Sequence, residues 1–276
     1  MESKIAILIT TFLKDELLYQ TTQSIIDIFP KESILLIGNQ SYKTDEEKLR
    51  GFSDFNINID NPAHFPINYY ILPYDCGLAQ SRNFLINKAH ELEIPYILMM
   101  ADSIQFKACY DFMPFIEFLK EIPNRGLIGF DLEGSKCPWE WNMELTPEGI
   151  KVSPSSLFID YYGIKISKVD ICRNIFLAKT ETMLNLYDNE MRLAEHELAF
   201  IEYKKRGYEV FWTNHLTFKK IVDKSTPEYQ ANRDRFGHYR DLLKKKLNIN
   251  GWIIYTPEAR KVINEYKFRK GGTNCT

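Results

Sequence analysis

The chain has 276 residues, 45% apolar and 26% charged, with a formal net charge of -2. Such a length buries a sizeable core, and such a composition excludes bulk disorder. The charge is uneven: Lys219 to Thr276 carries 14 Lys and Arg against 6 Asp and Glu, which leaves 21 against 31 for the first 218 residues. A basic end of this kind meets a phosphorylated substrate or an anionic membrane surface, or is a solvated helical face.

The Met1 start lacks the basic region and cleavage site of a signal peptide, and Ile5 to Thr10 is too short to span a bilayer, so a cytoplasmic protein is expected. Lys4 to Thr11 is a β-branched apolar run ending in hydroxyls, the pattern of a buried strand. Asp15 to Phe29 repeats its apolar residues at helical spacing and is closed by Pro30. Ser33 to Ile37 predicts a second buried strand, ending in the small and polar turn Gly38-Asn39-Gln40-Ser41, where a ligand can approach the backbone. A charged loop is expected from Lys43 to Gly51, a strand over Asn68 to Leu72 and a helix over Gly77 to Glu91.

Pro95 to Met100 reads as another buried strand, and it stops at Ala101-Asp102-Ser103. A helix over Asp111 to Glu121 and a strand over Gly126 to Phe130 follow. Asp131 to Asn142 is rich in Gly, Pro and Trp and predicts a shaped loop. Strands return between Leu157 and Thr180, a helix spans Glu190 to Arg206 with Gly207 as its cap, and Tyr208 to Thr213 is the last clear strand. Tyr229 to Leu247 predicts one basic helix, followed by a mixed tail. Strands alternating with helices over the first hundred residues argue for an α/β fold with a mostly parallel sheet. The division expected is a catalytic domain over 1–222 and a basic helical extension over 223–276.

In an open α/β sheet, ligands bind at the C-terminal ends of the strands, so Asp102 is the first candidate for function, against a plain turn residue. Trp139 and Trp141 flank Glu140, and exposed aromatics there would stack on sugar rings, unless they form a packing plug. The cysteines Cys76, Cys109, Cys137, Cys172 and Cys275 include no C-x-x-C pair, which argues against a zinc ribbon or disulfide framework. No nucleic-acid recognition motif accompanies the basic end.

In order, ILITTF, ILLIGNQS, LPYDCGLAQSRNFLINKA, PYILMMADS and AEHELAFIEYKKRGYEVFWT resemble the family 2 glycosyltransferases of the GT-A fold, particularly N-acetylgalactosaminyltransferase-like and bacterial polysaccharide enzymes. The resemblance covers most of residues 4 to 247. It implies an inverting transfer of a hexosyl or N-acetylhexosaminyl group from a nucleotide sugar, most simply a UDP-sugar, to a glycan or polysaccharide hydroxyl. The alternative is a non-catalytic relative that binds nucleotide sugar or glycan.

By the same resemblance, Thr10, Thr11, Phe12 and Asn39 hold base and ribose, with Asn39 or Gly38 standing where an Asp is usual. Asp75, Gly77 and Arg82 line the ribose and diphosphate, Arg82 alternatively pairing with Asp102. Arg233 and Arg235, in a Y-x-x-x-R-x-R pattern that starts at Tyr229, close over the diphosphate or hold an anionic acceptor. Glu197 is the expected base, Glu195 the next choice, and His196 an acceptor or orienting contact, while Leu198 replaces a common Asp. The family's acidic metal cluster falls on Ala101-Asp102-Ser103, where only the Asp102 carboxylate survives and Ser103 is kept as a donor contact, and the downstream metal-binding His falls on Lys220, with His215 as the competing assignment. A Mn2+ or Mg2+ ion held by Asp102 and metal-independent catalysis assisted by Lys220 are both open.

Overall fold

The structure is a computed structural model that describes residues 4–29, 32–62, 64–133, 140–221 and 226–269. The chain opens as β1 (Ile5–Thr11), α1 (Asp15–Ile26), β2 (Ile34–Asn39), α2 (Asp45–Asn58), β3 (Ile67–Ile71), α3 (Leu78–Glu91) and β4 (Tyr96–Ala101). It continues through β5 (Ile104–Gln105), α4 (Met113–Glu121), β6 (Arg125–Glu133), β7 (Trp141–Thr146), β8 (Gly149–Pro154), β9 (Phe158–Tyr161), β10 (Ile164–Val169) and β11 (Phe176–Lys179). The last elements are α5 (Glu195–Lys205), β12 (Glu209–Lys220), α6 (Pro227–Asp234), α7 (Phe236–Leu247), β13 (Ile253–Tyr255) and α8 (Pro257–Arg269).

The large sheet runs β3-β2-β1-β4-β11-β6-β12-β10-β9, with β5 against β12. Its first four strands are parallel, as expected from the βα alternation. Beyond β4 the sheet is mixed, because β11 enters antiparallel between β4 and β6 while β12 runs parallel to β6. A second, three-stranded sheet joins β13 to the β7–β8 hairpin, so the C-terminal segment pairs directly with the middle of the chain.

Period-two alternation distributes β1 between two cores: Ala6 and Leu8 pack on one face, Ile5, Ile7 and Ile9 on the other. The first face is covered by α3 and α5 through Leu85, Ile86, Phe200 and Tyr203, the second by α1, α2 and α4 through Leu18, Ile25, Phe55, Phe115 and Phe118. Both faces are covered, which is why the strands read as continuous apolar runs. Among the described residues no helix is long and apolar enough to cross a membrane.

Three expectations change. Lys43 to Gly51 is not a loop but the start of α2, set by a capping box in which Thr44 Oγ1 accepts from Glu47 N at 3.1 Å and the Glu47 carboxylate accepts from Thr44 N at 3.0 Å. The strand expected over Tyr208 to Thr213 runs on to Lys220, through a register irregularity between Thr213 and Thr217. The single basic helix is two helices, α6 and α7, meeting at Arg235.

The loop expected at Asp131 to Asn142 is also narrower than its composition indicates. Asp131 to Glu133 extend β6 and Trp141 opens β7. Trp141 is 5% exposed and packs edge-on against Tyr255. It is a packing residue with no free face for a sugar, as the plug alternative holds. Trp139 lies outside the described residues, and Glu140 is partly exposed just ahead of β7.

Candidate active site

The C-terminal ends of the parallel strands form one edge of the sheet, where Thr10 of β1 lies beside Gly38 of β2 and Ala101 of β4. Thr11 Oγ1 donates to Asp102 Oδ2 at 2.9 Å, and Thr21 Oγ1 donates to the Asp102 carbonyl at 2.8 Å. Burial, opposed by the nearby Lys14 ammonium and the Thr11 hydrogen bond, pushes the Asp102 carboxyl up to about 6. Ser103 continues the turn, and its carbonyl accepts from Ile221 N at 2.8 Å.

That bond brings the end of β12 to the site, with Lys220 paired in register with Ile104 and exposed. His215 does not come with it. It lies five residues back along β12, roughly 17 Å at strand rise, with its ring against Phe115 of α4. Of the two assignments, only Lys220 stands at the Asp102 edge.

A narrow cavity opens beside this edge, lined by Phe12, Asp75, Gly77, Arg192, Tyr229 and Arg233 among others. Two roomier hollows, one between α2 and β3 and one beneath β4 and β11, contain none of the expected site residues. Phe12 meets the Tyr74 ring at 5.5 Å, and Tyr74 OH donates to Glu228 on α6 at 2.7 Å. Lys43 also pairs with Glu228 at 2.7 Å, and Lys14 places its ammonium 4.3 Å from the Tyr229 ring centroid. Helix α6 has no buried residue, yet these contacts hold it across the mouth of the cavity.

Asp75 is the other anchor. It accepts from Arg235 at 2.7 Å, Asn232 at 2.9 Å and Arg192 at 3.1 Å. Of the two arginines expected to close over the diphosphate, Arg233 lines the cavity, whereas Arg235 is engaged by Asp75.

Gly77 caps α3 with φ +94, a left-handed conformation that favours glycine, and its N–H donates to Gln40 Oε1 at 2.7 Å. A Cβ here would stand 2.6 Å from Arg192 Cα. Gly77→Ala is therefore expected to cost about 1–3 kcal/mol of stability and to displace Arg192. A thermal melt showing no loss would contradict this reading.

Asn39 is turned into the protein. It is fully buried, donating to Asp15 Oδ1 at 2.9 Å and to Tyr69 OH at 2.7 Å and accepting from Ser41 N at 2.9 Å. Tyr42 completes the network by donating to Asp15 at 3.1 Å. The asparagine thus ties α1 to the second and third strands.

Arg82 is a second reassignment. It is 5% exposed and pairs with Glu195, 4% exposed, rather than with Asp102 or the cavity. Its neighbour Asn83 donates to the Tyr187 carbonyl at 2.6 Å and to Asn189 at 2.9 Å. Together they anchor the two ends of the segment that enters α5, where Glu190 to Ala194 form turns and bends instead of helix and Ala194 has φ 56.

The first turn of α5 carries the Glu195-His196-Glu197 triplet. Glu195 is occupied by Arg82. His196 is buried, with Nε2 2.7 Å from the Cys172 carbonyl and its ring against Phe200, so it packs the core instead of orienting an acceptor. Burial and then the Arg82 charge pull the imidazole down to about 3, which keeps it neutral and makes Nε2–H the donor. Glu197 differs: it is 6% exposed, and burial, together with Glu195, pushes its carboxyl up to about 7. Arg192 and Leu193, just ahead of this turn, line the cavity.

A divalent cation finds a poor site at this edge. Among the described residues no three His, Cys, Asp or Glu side chains are grouped to hold one. Around Asp102 the neighbours are a hydroxyl already donating to it, the Lys14 ammonium and the Asp15 carboxylate, which is itself engaged by Asn39 and Tyr42.

No protein-family model and no curated protein matches the sequence. Solved structures do match. GalNAc-T7 with UDP, GalNAc and Mn2+ superposes with a TM-score of 0.61 at 12% identity, over 97% of this chain and 57% of that one. The mannosyltransferase PcManGT from Pyrobaculum calidifontis, in complex with GDP-Man and Mn2+, gives 0.55 at 12% identity over 95% and 69%. TarS from S. aureus gives 0.52 at 13% identity over 89% and 43%. The chain thus spans little more than half of the GalNAc-T7 chain and less than half of TarS. At these identities the likeness establishes the GT-A fold expected from the sequence.

Proposed function

We propose that this GT-A chain transfers a sugar from a nucleoside diphosphate donor to an acceptor hydroxyl. The observation that carries the reading is the cavity under α6, lined by Phe12 next to the Thr11–Asp102 pair and by Arg192 and Leu193 just ahead of the turn that bears Glu197. One of the fold neighbours holds UDP and GalNAc, and another holds GDP-Man. A UDP-sugar with a hexosyl or N-acetylhexosaminyl group, and a glycan or polysaccharide acceptor, are the substrates we assign.

One-step inversion requires a base opposite the leaving nucleotide. A carboxylate titrating near 7 is matched to that task, since it is ionised at working pH yet basic enough to take a hydroxyl proton. Glu195 is the weaker choice, because releasing it breaks a buried ion pair. Phe12 and the Thr10–Thr11 strand end would hold the nucleoside, and Arg192, on the approach to α5, and Arg233, on α6, would face the anionic part.

A thermal-shift screen of nucleotide sugars tests the reading, because a ligand that binds only the folded chain raises its melting temperature. A UDP- or GDP-sugar should raise it by several degrees, and a complete panel without effect would overturn the proposal. The alternative of a binding module without turnover draws on the lack of a grouped set of metal ligands among the described residues, and it predicts the same shift with no product.

The basic end adds a proposed contact with an anionic membrane surface. Part of its charge is spent internally, as Lys246 pairs with Asp188 and Glu190 and Lys244 with Asp241. Arg240, Lys245, Arg260 and Lys261 remain exposed on α7 and α8.

A further inference from the structure

The charge arrangement around Asp102 poses a problem for the donor reading. A nucleoside diphosphate is strongly anionic, and it would enter an edge that carries a carboxylate without the grouped acidic ligands that bind a dication. Some positive charge must lie between Asp102 and the diphosphate for the two to coexist.

Lys14 is placed to supply it. It follows Thr11 by three residues at the β1–α1 turn, where its backbone carbonyl accepts from Leu18 N at 3.0 Å and fixes its position. Its ammonium rests over the ring of Tyr229, which lines the cavity, 4.3 Å from the centroid. Among the described residues no carboxylate forms an ion pair with it, although it acts electrostatically on Asp102. An aromatic face stabilises an ammonium modestly and leaves its three N–H donors available to an anion. Lys43, the other lysine near α6, is already paired with Glu228.

We infer that Lys14 takes the place of a divalent cation in this chain, bridging Asp102 and the diphosphate of a nucleotide donor that binds without metal. The inference rests on the donor reading proposed above. It places the compensating charge on the first βα turn and leaves Lys220, at the exposed end of β12, outside the bridge.

Calorimetric titration of the full chain with UDP and GDP, in excess chelator and then in Mn2+, tests it. For whichever nucleotide binds, the dissociation constant should be equal within about twofold in the two conditions. Lys14→Met, which keeps the stem that packs on Tyr229, should weaken binding at least tenfold without lowering the melting temperature by more than about 2 °C. Lys14→Arg should recover most of the affinity. If Lys14→Met proves unstable, Lys14→Gln carries the same expectation. Binding that requires Mn2+, or a folded Lys14→Met or Lys14→Gln protein that binds as tightly as the wild type, overturns the inference but leaves the donor reading standing. Wild-type protein that binds neither nucleotide overturns both.

Discussion

Glu197→Gln is expected to lower sugar transfer by about 10²–10⁴-fold while leaving the donor dissociation constant within twofold of wild type. The substitution keeps the size and polarity of a side chain that is 6% exposed and removes only the group that takes the proton. Because the wild-type carboxyl titrates at about 7, it serves as base only above that value, so transfer should rise with pH through about 7.

The same residue gives a readout independent of activity. Its folded pKa lies above the ordinary 4.5, so the fold prefers the protonated form and loses stability as pH rises from 4.5 through about 7. Glutamine is never charged. The variant should therefore be more stable than wild type at pH 8, with the advantage gone near pH 4. Equal stability at both pH values, or full transfer activity in the variant, would remove Glu197 from the role of base.

Arg82→Ala carries the largest expected effect on stability. The guanidinium and the Glu195 carboxylate are almost wholly enclosed, and Arg82 also faces the Tyr187 ring at 5.2 Å. Removing one partner leaves a buried charge uncompensated, at a cost of about 3–5 kcal/mol, or roughly 10 °C in melting temperature for a chain of this size. Replacing both partners with apolar residues of similar volume should recover much of the loss, since the desolvation penalty then disappears with the pair. A double-mutant cycle on melting temperature checks this. A single variant melting within 2 °C of wild type would mean that Arg82 does not hold the entry to α5.

The fold was largely legible because both faces of the sheet are covered. Runs such as IAILITT and YILMMA can be satisfied only by buried strands, and they fixed β1 and β4 within a residue or two. Helix α2 escaped because its charged composition resembles a loop, although Thr44-Asp45-Glu46-Glu47 is a capping-box signature that marks its start. At the Arg235 boundary between α6 and α7 the only Gly or Pro nearby is Gly237, which sits inside the first turn of α7 and not at the break.

The site was legible in position more than in role. Asp102 at a strand end and the acidic triplet both lie where strand and helix spacing put them. Roles depend on partners distant in the chain. Arg82 is 113 residues from Glu195, and Asp75 is 160 residues from Arg235, so sequence alone left Arg82 free to be read as a phosphate ligand. Asn39 was misread for the same reason, since its amide is taken up by Asp15 and Tyr69. Arg192 and Lys14 were overlooked because neither belongs to a motif. Arg192 reaches the cavity through its bonds to Asp75 and Leu78, and Lys14 meets the cavity wall through Tyr229 of α6.

The most direct test of the central claim is nucleoside diphosphate release from a panel of UDP- and GDP-sugars, with glycan acceptors present. At least one donor should be turned over by the wild-type chain, and its turnover should fall at least 100-fold in Glu197→Gln. Absence of turnover with every donor, or turnover unaffected by that substitution, would contradict the account.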